Sequence, residues 1–170
     1  MIKSDQLVLD LPFRTALGRA DFFVTQSNEE AVAWLDRWPD WPGPAIFLHG
    51  PEGCGKSHLI QVWCTRSEAV AIKPAQLTIA AVPEIAGYGS VALDQADQIV
   101  EHEPLLHLYN LLREQGGFLL LACRTPPRQL RIPLADLRSR LLAAQAVRIL
   151  PPDDRLLIAV MAKLFSDRQV

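Results

Sequence analysis

The chain lacks a cysteine framework. Its three cysteines, Cys54, Cys64 and Cys123, form no CxxC pair and leave an odd number, which excludes both a disulfide scaffold and a cysteine zinc site and points to reduced thiols. It also lacks an excess of positive charge. Seventeen Lys and Arg against nineteen Asp and Glu give a net charge of −2, so autonomous DNA binding by counterion release is not expected, and any DNA contact should be indirect. Long hydrophobic runs are missing too. The longest, around Phe118 to Cys123 and Leu156 to Met161, fall far short of the roughly 20 residues that cross a bilayer. Asp5, Gln6 and Asp10 interrupt the region where a secretory signal would need its apolar segment, which makes the cytoplasm the expected compartment. There is no internal repeat and no low-complexity tract.

What remains is an ordinary globular balance, 49% hydrophobic and 21% charged over 170 residues, enough for one domain with a sizeable core. Residues 1–20 show no sustained period and read as an extended arm; residues 21–170 read as the domain. Ser27 with Glu30 matches a capping box, and Ala31, Val32, Trp34 and Leu35 then recur at helical spacing until Pro39 and Pro42. After a loop from Trp38 to Pro44, strands are expected at 45–49, 69–73, 91–94, 118–122 and 146–150. Helices are expected at 56–66, 104–114, 134–142 and from about 153 to 165. Strands alternating with helices imply right-handed crossovers and a parallel sheet covered on both faces, an α/β fold.

Gly50-Pro51-Glu52-Gly53-Cys54-Gly55-Lys56-Ser57 satisfies the P-loop pattern, and it stands after an apolar strand and at the opening of a helix, where that pattern must stand. The glycines let the backbone curl so that the N–H groups from Glu52, Gly53, Cys54 and Gly55 through Lys56, Ser57 and His58 face phosphates, aided by the helix dipole. Lys56 adds a point charge for the β and γ phosphates. The Ser57 hydroxyl and the carboxylate of Asp94, which ends the apolar strand Val91-Ala92-Leu93-Asp94, form the expected magnesium position. Gln95 follows Asp94 where an active ATPase would carry a carboxylate to activate water. An amide takes no proton at neutral pH, so slow or absent hydrolysis by the chain alone is expected. Asp97 could substitute, but two residues on it has left the strand. His49, His58, His102 and His107 are read as structural or solvated rather than chemical.

Several segments together resemble the Hda branch of the DnaA family of AAA+ proteins, regulators that inactivate the bacterial replication initiator. They are Gln6 to Leu11, Asp21-Phe22-Phe23-Val24 with Ser27-Asn28, the two nucleotide motifs, Leu108-Tyr109-Asn110, Pro126 to Leu130 and Asp136 to Leu141. The resemblance implies an AAA+ core that binds ADP or ATP with Mg²⁺, with Phe22, Phe23 and Val24 bracketing the adenine. It implies that Gln6, Leu7, Leu9 and Leu11 anchor the arm in a groove of the DNA polymerase III sliding clamp. Arg140 resembles the family's arginine finger, catalytic in trans on ATP held by DnaA, with a homo-oligomer as a further possibility. Arg138, two residues away, lies on another face of the helix.

Two departures from the family pattern bear on function. Strand 118–122 ends in Ala122-Cys123-Arg124-Thr125, where a polar sensor is usual, leaving Arg124 or Thr125 as the candidates to reach the γ-phosphate. The family's helical lid is expected to be absent, since the sequence given stops at Val170, just past the last core helix, and an open, weaker nucleotide site would follow. The competing readings are a self-sufficient ATPase that remodels DNA or protein and an origin-binding module. Gln95 and Ala122 speak against the first, and the acidic balance and absent helix-turn-helix pattern against the second.

Overall fold

The computed structural model describes residues 23–154, 156–158 and 161. The arm of residues 1–20, with the anchors Gln6, Leu7, Leu9 and Leu11, lies outside the described residues, as does Phe22. Five strands, β1 (Ala45–His49), β2 (Val70–Ile72), β3 (Ser90–Leu93), β4 (Phe118–Cys123) and β5 (Gln145–Arg148), form one parallel sheet in the order β2-β3-β4-β1-β5. The helices are α1 (Glu29–Asp36), α2 (Lys56–Ser67), α3 (Val82–Ala86), α4 (Glu103–Gln115) and α5 (Ala135–Ala143).

The period of two along each strand sorts its side chains onto two cores. Phe47, Val91, Leu93, Leu119 and Leu121 face the apolar sides of α4 and α5, where Leu105, Leu108, Leu112, Leu137 and Leu141 are buried. Their neighbours Ile46, Leu48, Ala92, Leu120, Ala122 and Val147 face α1 and α2, meeting Val32, Leu35, Leu59, Ile60 and Trp63. The loop between α1 and β1 closes this second core with aromatic rings. Trp41 stacks on Trp63 at 5.3 Å between centroids, and the Trp41 indole N–H donates to the Trp34 carbonyl at 2.9 Å.

The α/β class and the parallel sheet stand as expected, with element ends shifted by one or two residues. One local expectation is corrected. The Ser27–Glu30 capping box does not form: α1 starts after Asn28, and Ser27 instead hydrogen-bonds the Thr25 hydroxyl at 2.7 Å. Asn28 is buried, its amide donating to the Phe23 carbonyl at 3.0 Å while its oxygen accepts from the Thr25 N–H at 2.9 Å, so it organises the segment before the helix. Helix α3 and three short 3-10 turns, at 74–76, 96–98 and 127–129, have no counterpart in the periodicity, because elements of three to five residues are too short to show one. Beyond β5, residues 154, 156–158 and 161 are helical; the remainder of the expected last helix lies outside the described residues.

Leu120 is fully buried in the central strand of the sheet. Leu120→Ala is expected to destabilise the fold by about 2–5 kcal/mol, read as a lower urea midpoint. At the end of β1, burial first and the charge of Arg148 second push the His49 pKa below 6.5, against an opposing pull from Glu30. The unfolded imidazole therefore takes its proton at higher pH than the folded one. The stability due to this difference is complete above about pH 6.5 and is lost as the pH falls through the folded pKa. The urea midpoint should fall as the pH is lowered from about 7.5 to 5.5, and His49→Gln should flatten that slope.

Candidate functional site

Because β4 lies between β1 and β3, the carboxyl ends of those three strands stand side by side. The loop leaving β1 therefore faces both the end of β4 and Asp94 at the end of β3. Gly53 and Gly55 take φ of 76° and 96°, the left-handed region that disfavours a side chain. Gly50 is constrained by space: a Cβ there would collide with the Ile149 carbonyl and lie 2.8 Å from the Cys54 sulfur. Gly55 leads directly into α2, whose first turn carries no acidic residue, so its free N–H groups and dipole are left for an external anion.

Glu52, Gly53, Gly55, Lys56, Ser57, His58, Asp94, Gln95, Asp97 and Arg124 line one open cavity of about 280 Å³. The Lys56 ammonium donates to the Gly50 and Pro51 carbonyls, both at 2.7 Å. The Ser57 hydroxyl donates to Asp94 Oδ2 at 2.6 Å, which brings two hard oxygen donors to one point beside the lysine. That pair suits Mg²⁺, an ion that takes one or two protein oxygens and fills its octahedron with water and phosphate. Among the described residues, no group of three or more His, Cys, Asp and Glu is placed to hold a metal. Cys54, within the loop, has its side chain buried. Burial pushes the Cys64 thiol up to about 11 and pushes Cys123 up as well, which makes both poor nucleophiles.

Asp97 stands differently from its expectation, and the two candidates at the end of β4 part company. Asp97, which has left the strand, is carried back to the cavity by the 3-10 turn Ala96–Gln98, starting from Gln95 in the left-handed region (φ 57°). Arg124 reaches the cavity as well, lying 3.7 Å from Asp97 and 3.8 Å from Glu52, whereas Thr125 faces a different cavity on the α4 side. The strand order that puts the end of β4 between the lysine and Asp94 decides this, and no residue pattern displays it. Val24 packs on the core cluster under α1 and α2, and neither Phe23 nor Val24 lines the phosphate-loop cavity.

Arg140 lies at the other end of the sheet. It lines a cavity of about 440 Å³ with Pro42, Pro44, Ala45 and Gln145, at the amino ends of β1 and β5. The five residues of β1 separate it from the phosphate loop by roughly 15 Å at about 3.3 Å per residue, beyond the reach of one side chain. Its guanidinium makes a two-point pair with Asp136, 2.9 Å from Nε and 3.0 Å from an Nη, and lies 5.5 Å from the centre of the Tyr109 ring. The hydrogen bonds to Asp136 push its pKa further up, so it stays charged. Arg138 is exposed and makes no contact with this cavity.

No family model matches the chain. Solved structures do. A DNA replication initiation factor superposes with a TM-score of 0.75 at 18% identity over 88% of this chain and 54% of that one. AMPPCP-bound DnaA from Aquifex aeolicus gives 0.70 at 19% over 86% and 53%. Domain III of the Thermotoga maritima replication initiation protein DnaA gives 0.71 at 19% over 87% and 72%. The chain spans about half the length of the first two. At these identities the shared property is the fold, a five-stranded parallel α/β core like that of these DnaA structures. Among the described residues, no helix is long and apolar enough to cross a membrane.

Ser57→Ala and Asp94→Asn are each expected to remove the tightening of ADP binding by Mg²⁺ while leaving the magnesium-free affinity nearly intact. Lys56→Ala should weaken both, and isothermal titration with and without EDTA separates the two patterns.

Proposed function

We propose that the chain is an Hda-like regulator of replication initiation in the cytoplasm. It holds ADP or ATP with Mg²⁺ between Phe22 to Val24 and the loop from Glu52 to His58. It is tethered to the sliding clamp through Gln6, Leu7, Leu9 and Leu11, and it offers Arg140 to ATP bound on DnaA. The hydrolysis it promotes leaves the initiator inactive, which is negative regulation of initiation. DNA is met only through the clamp and DnaA.

The observation that carries this reading is the position of Arg140. A charged guanidinium stands at the end of the sheet away from its own phosphate loop, so a triphosphate that it serves must belong to another molecule. Gln95 supports the reading from the other side, because its exposed amide at the cavity has no capacity to take a proton from water. A second reading, a self-sufficient ATPase, is favoured by the return of Asp97 to the cavity wall, although its contact with Arg124 draws that carboxylate to a cation.

Turnover of DnaA-bound ATP, measured with DNA-loaded clamp, tests the proposal. The parent should accelerate it, and Arg140→Ala should remove an effect of the size an arginine finger supplies, about 10³ to 10⁵. Gln6→Ala should abolish the dependence on clamp. Unaided hydrolysis lost in Asp97→Asn but untouched by Arg140→Ala would replace the regulatory reading with the second.

A further inference from the structure

Arg140 has five N–H donors in a rigid plane, and the pair with Asp136 uses two of them, Nε and one Nη, along a single edge. The second edge, formed by the two Nη groups, is the one that grips a phosphate in a parallel fork. The guanidinium carbon lies over the Tyr109 ring, and the Arg140 side chain remains 23% exposed beside Ser139 and Arg113, a second cation with no acidic partner among the described residues. Asp136 sits one turn earlier on the same helix, so it travels with Arg140 and fixes its direction whether or not a partner is present. Its own side chain is 56% exposed, and the ion pair adds little to stability in that setting. What it supplies is orientation. Arg138 shows the contrast: one turn to either side of it stand Leu134 and Leu142, and neither can hold a guanidinium.

We infer that Asp136 is the positioning residue of the arginine finger, clamping Arg140 by its Nε edge so that its Nη edge faces a phosphate brought by the partner. The inference rests on the proposed role of Arg140 in trans. A clamp and a competing latch have opposite consequences. A clamp lost leaves a flexible cation, with binding kept and the rate lowered; a latch lost frees the cation and raises the rate.

The test is single-turnover hydrolysis of ATP on the partner, over a range of concentrations of the whole chain, for the parent, Asp136→Ala, Asp136→Glu and Arg140→Ala. Asp136→Ala is expected to lower the saturated rate about tenfold or more, the scale of a misplaced catalytic group, with the half-saturating concentration unchanged or lower. Asp136→Glu, which can still pair one turn along the helix, should restore most of the rate. Melting midpoints close to that of the parent would show that α5 is intact. Should the alanine variant melt below the assay temperature, Asp136→Asn, with one acceptor left, should give an intermediate rate. A saturated rate equal to or above that of the parent in Asp136→Ala overturns the inference while Arg140→Ala remains inactive. If Arg140→Ala matches the parent, the role in trans and the clamp fail together.

Discussion

Three strands and the phosphate loop meet at Gly50, and there is no room for a side chain there. Its N–H donates to the Cys123 carbonyl at the end of β4 at 3.2 Å, while its Cα is pressed against the Ile149 carbonyl just past β5. Ile149 in turn donates its N–H to His49, and Leu150 donates to Ser27 ahead of α1. The loop is thus held at its root by neighbours on both sides of β1, and its path out of the sheet is settled before any ligand arrives. The direction of α2 follows from that path, and the 2.6 Å contact between Ser57 and Asp94 follows from the direction of α2. A substitution at Gly50 would therefore disturb the phosphate cradle, the magnesium position and the lead-in segment together.

The same sheet keeps the two chemistries of the domain apart. At the carboxyl ends of the strands, glycine N–H groups, Lys56, Ser57, Asp94 and Arg124 gather around one cavity. At the amino ends, Arg140 and Arg113 face another. A strand of five residues, four of them buried, is a rigid spacer, so neither end can serve the other within one molecule. This separation is the physical basis for proposing that the domain works across an interface: it accepts a nucleotide at one end and presents a cation at the other.

Much of this was legible in the residues. The five strands, four of the helices and the phosphate loop follow from apolar period and from glycine spacing, because both cores are long and regular enough to impose a period on the chain. The sequence is least informative where a single residue outweighs a pattern. Asn28, rather than Ser27, organises the start of α1 because a buried amide can satisfy two backbone groups at once. Asp97 returns to the cavity through one 3-10 turn, and Arg124 enters it because β4 is inserted between β1 and β3. Strand order is a tertiary property, so the neighbours that it creates cannot be seen along the chain. The spacing of Asp136 and Arg140 on one helix is visible in the sequence, whereas the contact of Arg140 with Tyr109 of another helix is a tertiary property.

The central claim is that the phosphate cavity binds a nucleotide that the domain does not itself consume. The most direct measurement is incubation of the chain alone with radiolabelled ATP and Mg²⁺, followed by separation of bound from free and chromatography of the bound fraction. The account predicts one ATP per chain, recovered intact after many times the lifetime of a working AAA+ ATPase's turnover. Repeated release of phosphate by the chain without a partner, or failure to retain ATP at all, would contradict it.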